Sequence, residues 1–336
     1  MQKYLSISLL LAVSALLLAA CGPSASPTAQ PTPMQAQAVV STAAPTLAMP
    51  EPTKAPVAAN PTQALADTLG NLSYTGLFPD KAVALKDGSG AYEGGGTVRL
   101  LDQLIPQGDL NGDGKADAVV VLDDQASGSG HFIWFAAGLD AMGKPIPTEA
   151  IMLGDRIGVK SLTIDNGQIV ADIVGQGTGD VACCGTWNIQ KVLALKDGKL
   201  AEQSSKEISK ASLSDLNGTQ WQLVDLNSHT EPALPDVAVT LQIANGQISG
   251  SAGCNTYNAT LTGAVDDPSV FKVGSIAATK KACPDPIMKQ ETDYLTRLGQ
   301  AKAWKYDAGQ LTLLYASDND NPQYLVFEPM ASTPAQ

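Results

Sequence analysis

The sequence predicts a mainly β protein of the α+β class, with two small antiparallel β modules that follow a disordered tether. Short apolar runs alternate with turns rich in glycine and aspartate, and the chain contains 31 glycines and 21 prolines. Only 16% of the residues are charged, which is typical of short strands rather than long charged helices. One segment near residue 290 has the apolar spacing of an amphipathic helix. A length of 336 residues suggests about two domains.

The composition is acidic, with 33 aspartates and glutamates against 21 lysines and arginines and a formal net charge of -12. Such a chain repels nucleic acid phosphates and anionic lipid headgroups, so neither is an expected partner. With two histidines in the whole chain, a histidine-rich zinc site and histidine-dependent catalysis have little support. Divalent cations remain compatible with this charge.

The N-terminus indicates export. An apolar run covers residues 5–18, which is the length of a signal-peptide core and short for a membrane-spanning helix. It ends in Leu-Ala-Ala-Cys at 18–21, which resembles the lipobox of bacterial lipoproteins. The resemblance implies a signal peptide at 1–20, lipid on Cys21, and a protein anchored to the cell membrane outside the cytoplasm. The alternative is an ordinary secretory signal with an incidental cysteine.

The segment 21–66 reads as a disordered tether. It is rich in proline, alanine and threonine and carries only Glu51 and Lys54 as charged residues. Such a composition buries too little apolar area to offset the entropy of ordering, and the prolines favour an extended chain. We therefore expect a first β module at 67–210 and a second at 211–330.

In the first module, apolar runs at 118–122 and 132–135 predict buried strands. Alternating segments at 161–164 and 168–173 flank Asp-Asn-Gly, which predicts a hairpin. Acidic and amide residues recur with the spacing of the first nine positions of a calcium loop, with Gly114 at the bend. The candidate ligands are Asp109, Asn111, Asp113, the carbonyl of Lys115, and Asp117.

This loop resembles the Asp-x-Asn-x-Asp-Gly loops of integrin-type β proteins and dockerins. Position 12 is Val120 and the flanks are strand-like, so the loop is not an EF-hand. We expect a structural Ca²⁺ there and no organic cofactor. The alternative is a solvated Asp/Asn/Gly hairpin loop without metal.

In the second module, Gly-Thr-Gln-Trp at 218–221, Gly-Cys-Asn-Thr-Tyr at 253–257 and Thr-Lys-Lys-Ala-Cys at 279–283 come in this order before a helix. These segments resemble the META-domain family, which includes HslJ-like proteins, over about residues 215–328. The resemblance implies one β module with one helix and a link to stress response. The resemblance also implies a disulfide between Cys254 and Cys283. The alternative is that both cysteines are buried free thiols.

The residues themselves predict the same architecture. Alternating runs at 221–224, 237–243, 247–249, 310–315 and 324–327 indicate strands, and Asn-Gly at 245–246 indicates a two-residue turn. Asp285 and Pro286 indicate a helix start with Asp285 as the N-cap. The helix is expected to run from about 286 to 299 and to turn Glu291, Tyr294 and Leu298 towards the sheet.

Two further cysteines, Cys183 and Cys184, are adjacent. The sequence leaves three states open for them: a vicinal disulfide, two reduced thiols, or pairing with an outside partner. A redox role as a pair is therefore a hypothesis, although C-x-x-C spacing is absent.

Catalytic motifs such as G-x-S-x-G, H-E-x-x-H and the P-loop are absent from the sequence. His131 and His229 are interpreted as structural or surface residues, and the acidic pairs at 123–124 and 266–267 as solvated turn residues. The leading hypothesis is a non-enzymatic envelope lipoprotein that binds an envelope protein or glycan. The alternative is an envelope hydrolase that acts on polysaccharide or peptide and contains a structural calcium.

Overall fold

The structure is a computed structural model that describes residues 61–78, 81–126, 130–181, 185–262, 271–318 and 321–330. Cys21, the expected signal peptide and most of the expected tether lie outside the described residues, as do Cys183 and Cys184. Within the described ranges, no helix combines the length and apolar character needed to span a membrane.

In its described residues, the first module contains one helix and thirteen strands. The elements are α1 (Pro61–Leu69), β1 (Ser73–Tyr74), β2 (Val83–Ala84), β3 (Ser89–Tyr92), β4 (Gly96–Leu100), β5 (Gln107–Gly108), β6 (Asp117–Gln125), β7 (Phe132–Leu139), β8 (Ile146–Pro147), β9 (Ile151–Asp155), β10 (Gly158–Asp165), β11 (Gln168–Gly175), β12 (Trp187–Lys196) and β13 (Lys199–Lys210). The mainly β, antiparallel fold class expected from the sequence is confirmed.

Two sheets form the body of this module. One has the order β3-β4-β6-β7-β8, with β5 added to β6 and β9 to β7, and the other has the order β10-β11-β12-β13. The strand β6 is covered on both faces, because its odd residues such as Val121 face the second sheet and its even residues such as Val120 face α1. A strand covered on both faces reads as a continuous apolar run, which is the pattern at 118–122.

The hairpin turns follow from their residues. Asn166 and Gly167 join β10 to β11 with φ angles of 49° and 76°. Both central residues of a two-residue type I′ turn need positive φ, which asparagine, aspartate and glycine tolerate best. Asp197 with Gly198 and Asn245 with Gly246 repeat the arrangement.

Over the part of the second module that the structure describes, there are a short 3-10 helix, one α-helix and nine strands. Its elements are η1 (Leu213–Leu216), β14 (Gln220–Asp225), β15 (Thr240–Ala244), β16 (Gln247–Ser251), β17 (Thr256–Thr262), β18 (Lys272–Val273), β19 (Ala277–Ala278), α2 (Asp285–Gly299), β20 (Ala303–Asp307), β21 (Gln310–Asp318) and β22 (Asn321–Pro329). One curled sheet runs β18-β17-β16-β15-β14-β22-β21-β20, and β19 pairs with β17.

The helix α2 closes this sheet. Glu291, Tyr294 and Leu298 are buried against it, as the spacing predicts. The expected N-cap role of Asp285 is wrong, because Pro284 is the N-cap and no side-chain capping hydrogen bond forms. Asp285 instead lies in the first turn of the helix, where its negative charge interacts favourably with the helix dipole.

The folded part begins earlier than the sequence indicates. The helix α1 starts at Pro61, inside the segment expected to be tether, and buries Leu65, Ala66 and Leu69 against the first sheet. The composition of this segment is tether-like, but three apolar residues with helical spacing give α1 a face that packs into the same hydrophobic cluster as the even face of β6.

The two modules share a core. The β20–β21 turn of the second module places Ala308, 3% exposed, in the hydrophobic cluster of the first. The N–H of Ala308 donates to the carbonyl of Ile157 at 3.0 Å, and the Tyr306 hydroxyl donates to the carbonyl of Val159 at 2.7 Å. Gly158 is required between them, because a Cβ there would lie 2.4 Å from the Tyr306 ring and carbonyl.

We predict that Ala308→Glu lowers the free energy of unfolding by at least about 3 kcal/mol, because it places an unpaired charge in the shared core. Urea denaturation of the full chain measures the loss. Asp197→Glu is the matched control, since Asp197 has the same turn position and a similar φ but is exposed. Equal stability of both variants would show that the tip of the hairpin is not buried.

Candidate functional site

The predicted calcium loop is held in shape by its own backbone. The Asp109 carboxylate accepts hydrogen bonds from the N–H groups of Gly112 and Gly114 at 2.7 and 2.9 Å. The amide oxygen of Asn111 accepts from the N–H of Asp113, whose carboxylate accepts from the N–H of Lys115, both at 2.8 Å. The hydrogen bond from Gly114, followed by those from other loop amides, lowers the pKa of Asp109.

The fifth candidate ligand faces the interior. Asp117 is fully buried and accepts hydrogen bonds from the N–H groups of Leu110 and Asp140, both at 2.9 Å. The Lys115 ammonium is paired with Asp140 at 2.9 Å. Among the described residues, no group of three or more His, Cys, Asp or Glu side chains is placed to hold a metal. The structure therefore brings Asp109, Asn111 and Asp113 together on the loop and gives Asp117 a supporting position beneath it.

The second module has a disulfide and a buried carboxylate at its centre. Cys254 and Cys283 form a disulfide with a Cα–Cα distance of 6.0 Å, which confirms the pairing that the resemblance implies. Beside it, Glu291 of α2 accepts from the N–H of Asn255 at 2.7 Å and from its side-chain amide at 2.7 Å. The Asn255 side-chain oxygen accepts from Thr279 and from the N–H of Lys281. Asn255 and Thr279 of the sequence motifs are therefore hydrogen-bonded to each other, and Asn255 links them to Glu291 of the helix.

The expectation that the acidic pair at 123–124 is solvated in a turn is wrong. Both residues belong to β6 and are at most 1% exposed. Because alternate residues of a strand face opposite sides, Asp123 faces the second sheet and Asp124 faces the α1 side. The other pair, at 266–267, lies outside the described residues.

Asp123 organises a charged cluster at the edge of the shared core. Its carboxylate lies 3.2 Å from Nδ1 of His131 and 3.7 Å from Arg99. Arg99 also donates to the carbonyl of Ala308 and contacts Glu328 of the second module at 3.3 and 3.4 Å. The same contacts link the first module to the second.

A loop carboxylate fixes the chain on both sides of the adjacent cysteines. Asp180 accepts from the N–H of Gly177 at 3.1 Å, from the N–H of Thr186 at 2.8 Å, and from Lys210 at 3.2 Å. Burial opposes ionisation here, but the hydrogen bonds from Thr186, Gly177 and Lys210 hold the pKa of Asp180 at about 2. The redox hypothesis for Cys183 and Cys184 concerns residues outside the described ranges.

A pocket of about 350 Å³ opens at the junction of the two modules. We call it the junction pocket. Its apolar wall consists of Leu101, Leu104, Val159, Trp221, Tyr306 and Met330. Trp221 and Tyr306 contact edge to face with ring centroids 5.5 Å apart. No local sequence motif marks this site, because its residues are spread over more than 200 positions.

Polar groups at this pocket are engaged with the protein. Lys160 donates to the Asn188 side-chain oxygen at 2.6 Å. The Asp215 carboxylate accepts from the N–H of Ser212 and from the Asn188 amide, at 2.7 and 2.8 Å. The pocket therefore presents fixed apolar walls with a polar rim, which is the usual lining of a small-molecule site.

The second module is defined by a curled antiparallel sheet closed by one helix, one disulfide and the Asn255–Glu291 pair. Residues 214–329 match the META domain family. The C-terminal part of this chain is therefore a META domain, as its motifs indicate.

The other comparisons add little. No curated protein matches the chain. It is similar to a protein from Burkholderia xenovorans solved by NMR, with 21% identity, a TM-score of 0.29, and coverage of 39% of this chain and 99% of that chain. It is also similar to the rhamnogalacturonan lyase YesW, with 12% identity, a TM-score of 0.25, and coverage of 72% and 45%, respectively. At such low TM-scores neither likeness supports a fold or a function.

Proposed function

We propose that this chain is a lipid-anchored lipoprotein of the bacterial envelope that binds a small, largely apolar ligand in the junction pocket and does not transform it. The observation that carries the proposal is the pocket itself, at about 350 Å³. Ligand sites form preferentially between domains, and this volume lies within the range of small-molecule pockets. A role in envelope stress, implied by the META domain, is part of the proposal.

The walls of the pocket support binding because they are fixed before a ligand arrives. Tyr306 is hydrogen-bonded to Val159, and the indole N–H of Trp221 donates to Thr219 at 2.7 Å. Because both large rings are already ordered, a ligand does not lose affinity to ordering them. Both modules supply lining residues, so the site depends on their contact.

We expect the full chain to bind Nile red, a neutral apolar dye, with a rise in dye fluorescence that saturates. Gln103 is an exposed residue at the pocket, and Gln103→Trp should weaken dye binding at least about fivefold by filling the entrance. Gln203→Trp, on the exposed strand β13, is the matched control and should leave binding unchanged. Equal dye affinity of both variants and the wild type would contradict binding in this pocket.

The anchor is supported by the apolar run and the Leu-Ala-Ala-Cys order at 18–21. Two or three acyl chains would hold the protein stably, since each buried CH₂ contributes about 0.8 kcal/mol. The proline-rich segment that follows would carry the β modules away from the bilayer surface.

We predict that the wild-type chain incorporates labelled palmitate and sediments with membranes, and that Cys21→Ser loses both properties. The acyl chains attach only to the lipobox cysteine, so Cys183→Ser should keep both and serves as the control. Retention of label in Cys21→Ser would exclude this anchor.

A structural Ca²⁺ ion bound by the Asp109–Asp117 loop is also part of the proposed function. Asp109, Asn111 and Asp113 share a loop whose carboxylate and amide oxygens keep lone pairs beyond the hydrogen bonds they accept. A Ca²⁺ ion prefers such oxygens, and Lys115 would add a backbone carbonyl. Asp117 would position the loop from below through its hydrogen bonds to Leu110 and Asp140.

In a thermal melt, Ca²⁺ at ten times its Kd should raise the Tm of the full chain on the order of 3–6 °C. Asp113→Ala should abolish the shift, whereas Asp165→Ala, at the exposed last residue of β10, should retain it. Magnesium at equal ionic strength separates a specific site from screening. No shift in the wild type at millimolar Ca²⁺ would leave the loop as a metal-free turn.

A further inference from the structure

The polar rim of the junction pocket contains one positive and one negative side chain. Among the described residues that line it, Lys160 and Asp215 are the charged ones. They are bridged rather than paired directly, because the buried Asn188 accepts from Lys160 at 2.6 Å and donates to Asp215 at 2.8 Å. One amide group therefore fixes an ammonium and a carboxylate that line the same cavity.

Both charged groups keep hydrogen-bonding capacity beyond these contacts. An ammonium group has three N–H donors, and Lys160 uses one of them within the described chain. The hydrogen bonds to Asp215 from Asn188 and from the N–H of Ser212 both end on Oδ2. Oδ1 of Asp215 therefore stays open as an acceptor towards a group from outside the described residues.

Exposure separates the apolar part of this pocket from its polar part. Val159, Trp221 and Tyr306 line the pocket and are buried, so they form its base. Lys160 is half-buried and Asp215 is exposed, so the two charged side chains lie towards the mouth. A ligand that enters from solvent can therefore reach the charged groups with one end and the aromatic rings with the other.

The size and charge of the pocket favour a short apolar chain with a neutral head. A volume of about 350 Å³ holds about a dozen non-hydrogen atoms at about 30 Å³ each. A carboxylate head would be attracted by Lys160 and repelled by Asp215, and an ammonium head would meet the reverse. A full charge also loses more hydration than a hydroxyl group does on entering the pocket.

We propose that the ligand of the junction pocket is a neutral single-chain amphiphile with hydroxyl groups at its head. One hydroxyl accepts from Nζ of Lys160, another donates to Oδ1 of Asp215, and the chain packs against Trp221 and Tyr306. This inference rests on the proposed binding function of the pocket and adds the chemical class of the ligand.

The experiment is calorimetric titration of the full chain with decane-1,2-diol, decanoate and decylammonium. The three share a ten-carbon chain and differ in the charge of the head, and each is used below the concentration at which it aggregates. We expect the diol to bind at least about threefold more tightly than either ion, because it makes both hydrogen bonds without a repelled charge.

Removing one charge at a time should change this preference in opposite directions. In Lys160→Gln, decylammonium should gain affinity by about threefold or more and decanoate should lose affinity, because the negative charge of Asp215 remains. Asp215→Asn should do the reverse. A gain for one ligand cannot come from a misfolded pocket. Lys144→Gln, at an exposed lysine outside the lining, is the matched control and should change none of the affinities.

The outcomes separate this inference from the proposed function. Equal affinity for the three ligands, or tighter binding of either ion than of the diol, would overturn the neutral head and leave the pocket as a binding site. Unchanged preferences in Lys160→Gln and Asp215→Asn would do the same. Binding of none of the three while Nile red still binds would overturn the inference alone. If Nile red also fails to bind, the proposed function is overturned with it.

Discussion

The insertion of Ala308 into the core of the first module is the contact on which the arrangement of this protein depends. Ala308 is bonded through its N–H to Ile157 and through its carbonyl to Arg99. Because a turn of the META domain completes the hydrophobic cluster of the other module, the two modules are joined by packing rather than by a linker alone. The junction pocket exists only in this arrangement, since each module contributes one wall.

The strand β6 explains how one element serves two sides of the molecule. Its side chains alternate between two buried faces, so two adjacent aspartates have unrelated environments. Asp123 lies 3.7 Å from Arg99 and 3.2 Å from Nδ1 of His131, and it contributes to the module contact. Asp124 meets only neutral partners, the Tyr92 hydroxyl and the Phe78 amide. One strand therefore carries two adjacent acidic residues whose hydrogen-bond partners differ completely between its two faces.

The parts predicted correctly from the sequence were those set by local chemistry. The Asn166–Gly167 turn and the buried face of α2 need only their own residues, and both are confirmed. The Cys254–Cys283 pairing came from the family resemblance. The predictions were wrong where the structure of a segment depends on residues distant in sequence. The helix α1 is stabilised by the sheet it covers, and Asp124 is buried by segments far from it in sequence. The junction pocket was invisible for the same reason.

In the META domain, the buried carboxylate of α2 and the disulfide loop depend on each other. Glu291 is buried, and a buried carboxylate is costly unless hydrogen bonds compensate for its lost hydration. The N–H groups of Cys254 and Asn255 and the Asn255 amide supply that compensation, while the disulfide to Cys283 fixes the loop that presents them. The chain-entropy model gives about 3–4 kcal/mol for a loop of this length. The disulfide and the carboxylate therefore support each other: the first holds the donors in place, and the second ties them to the helix.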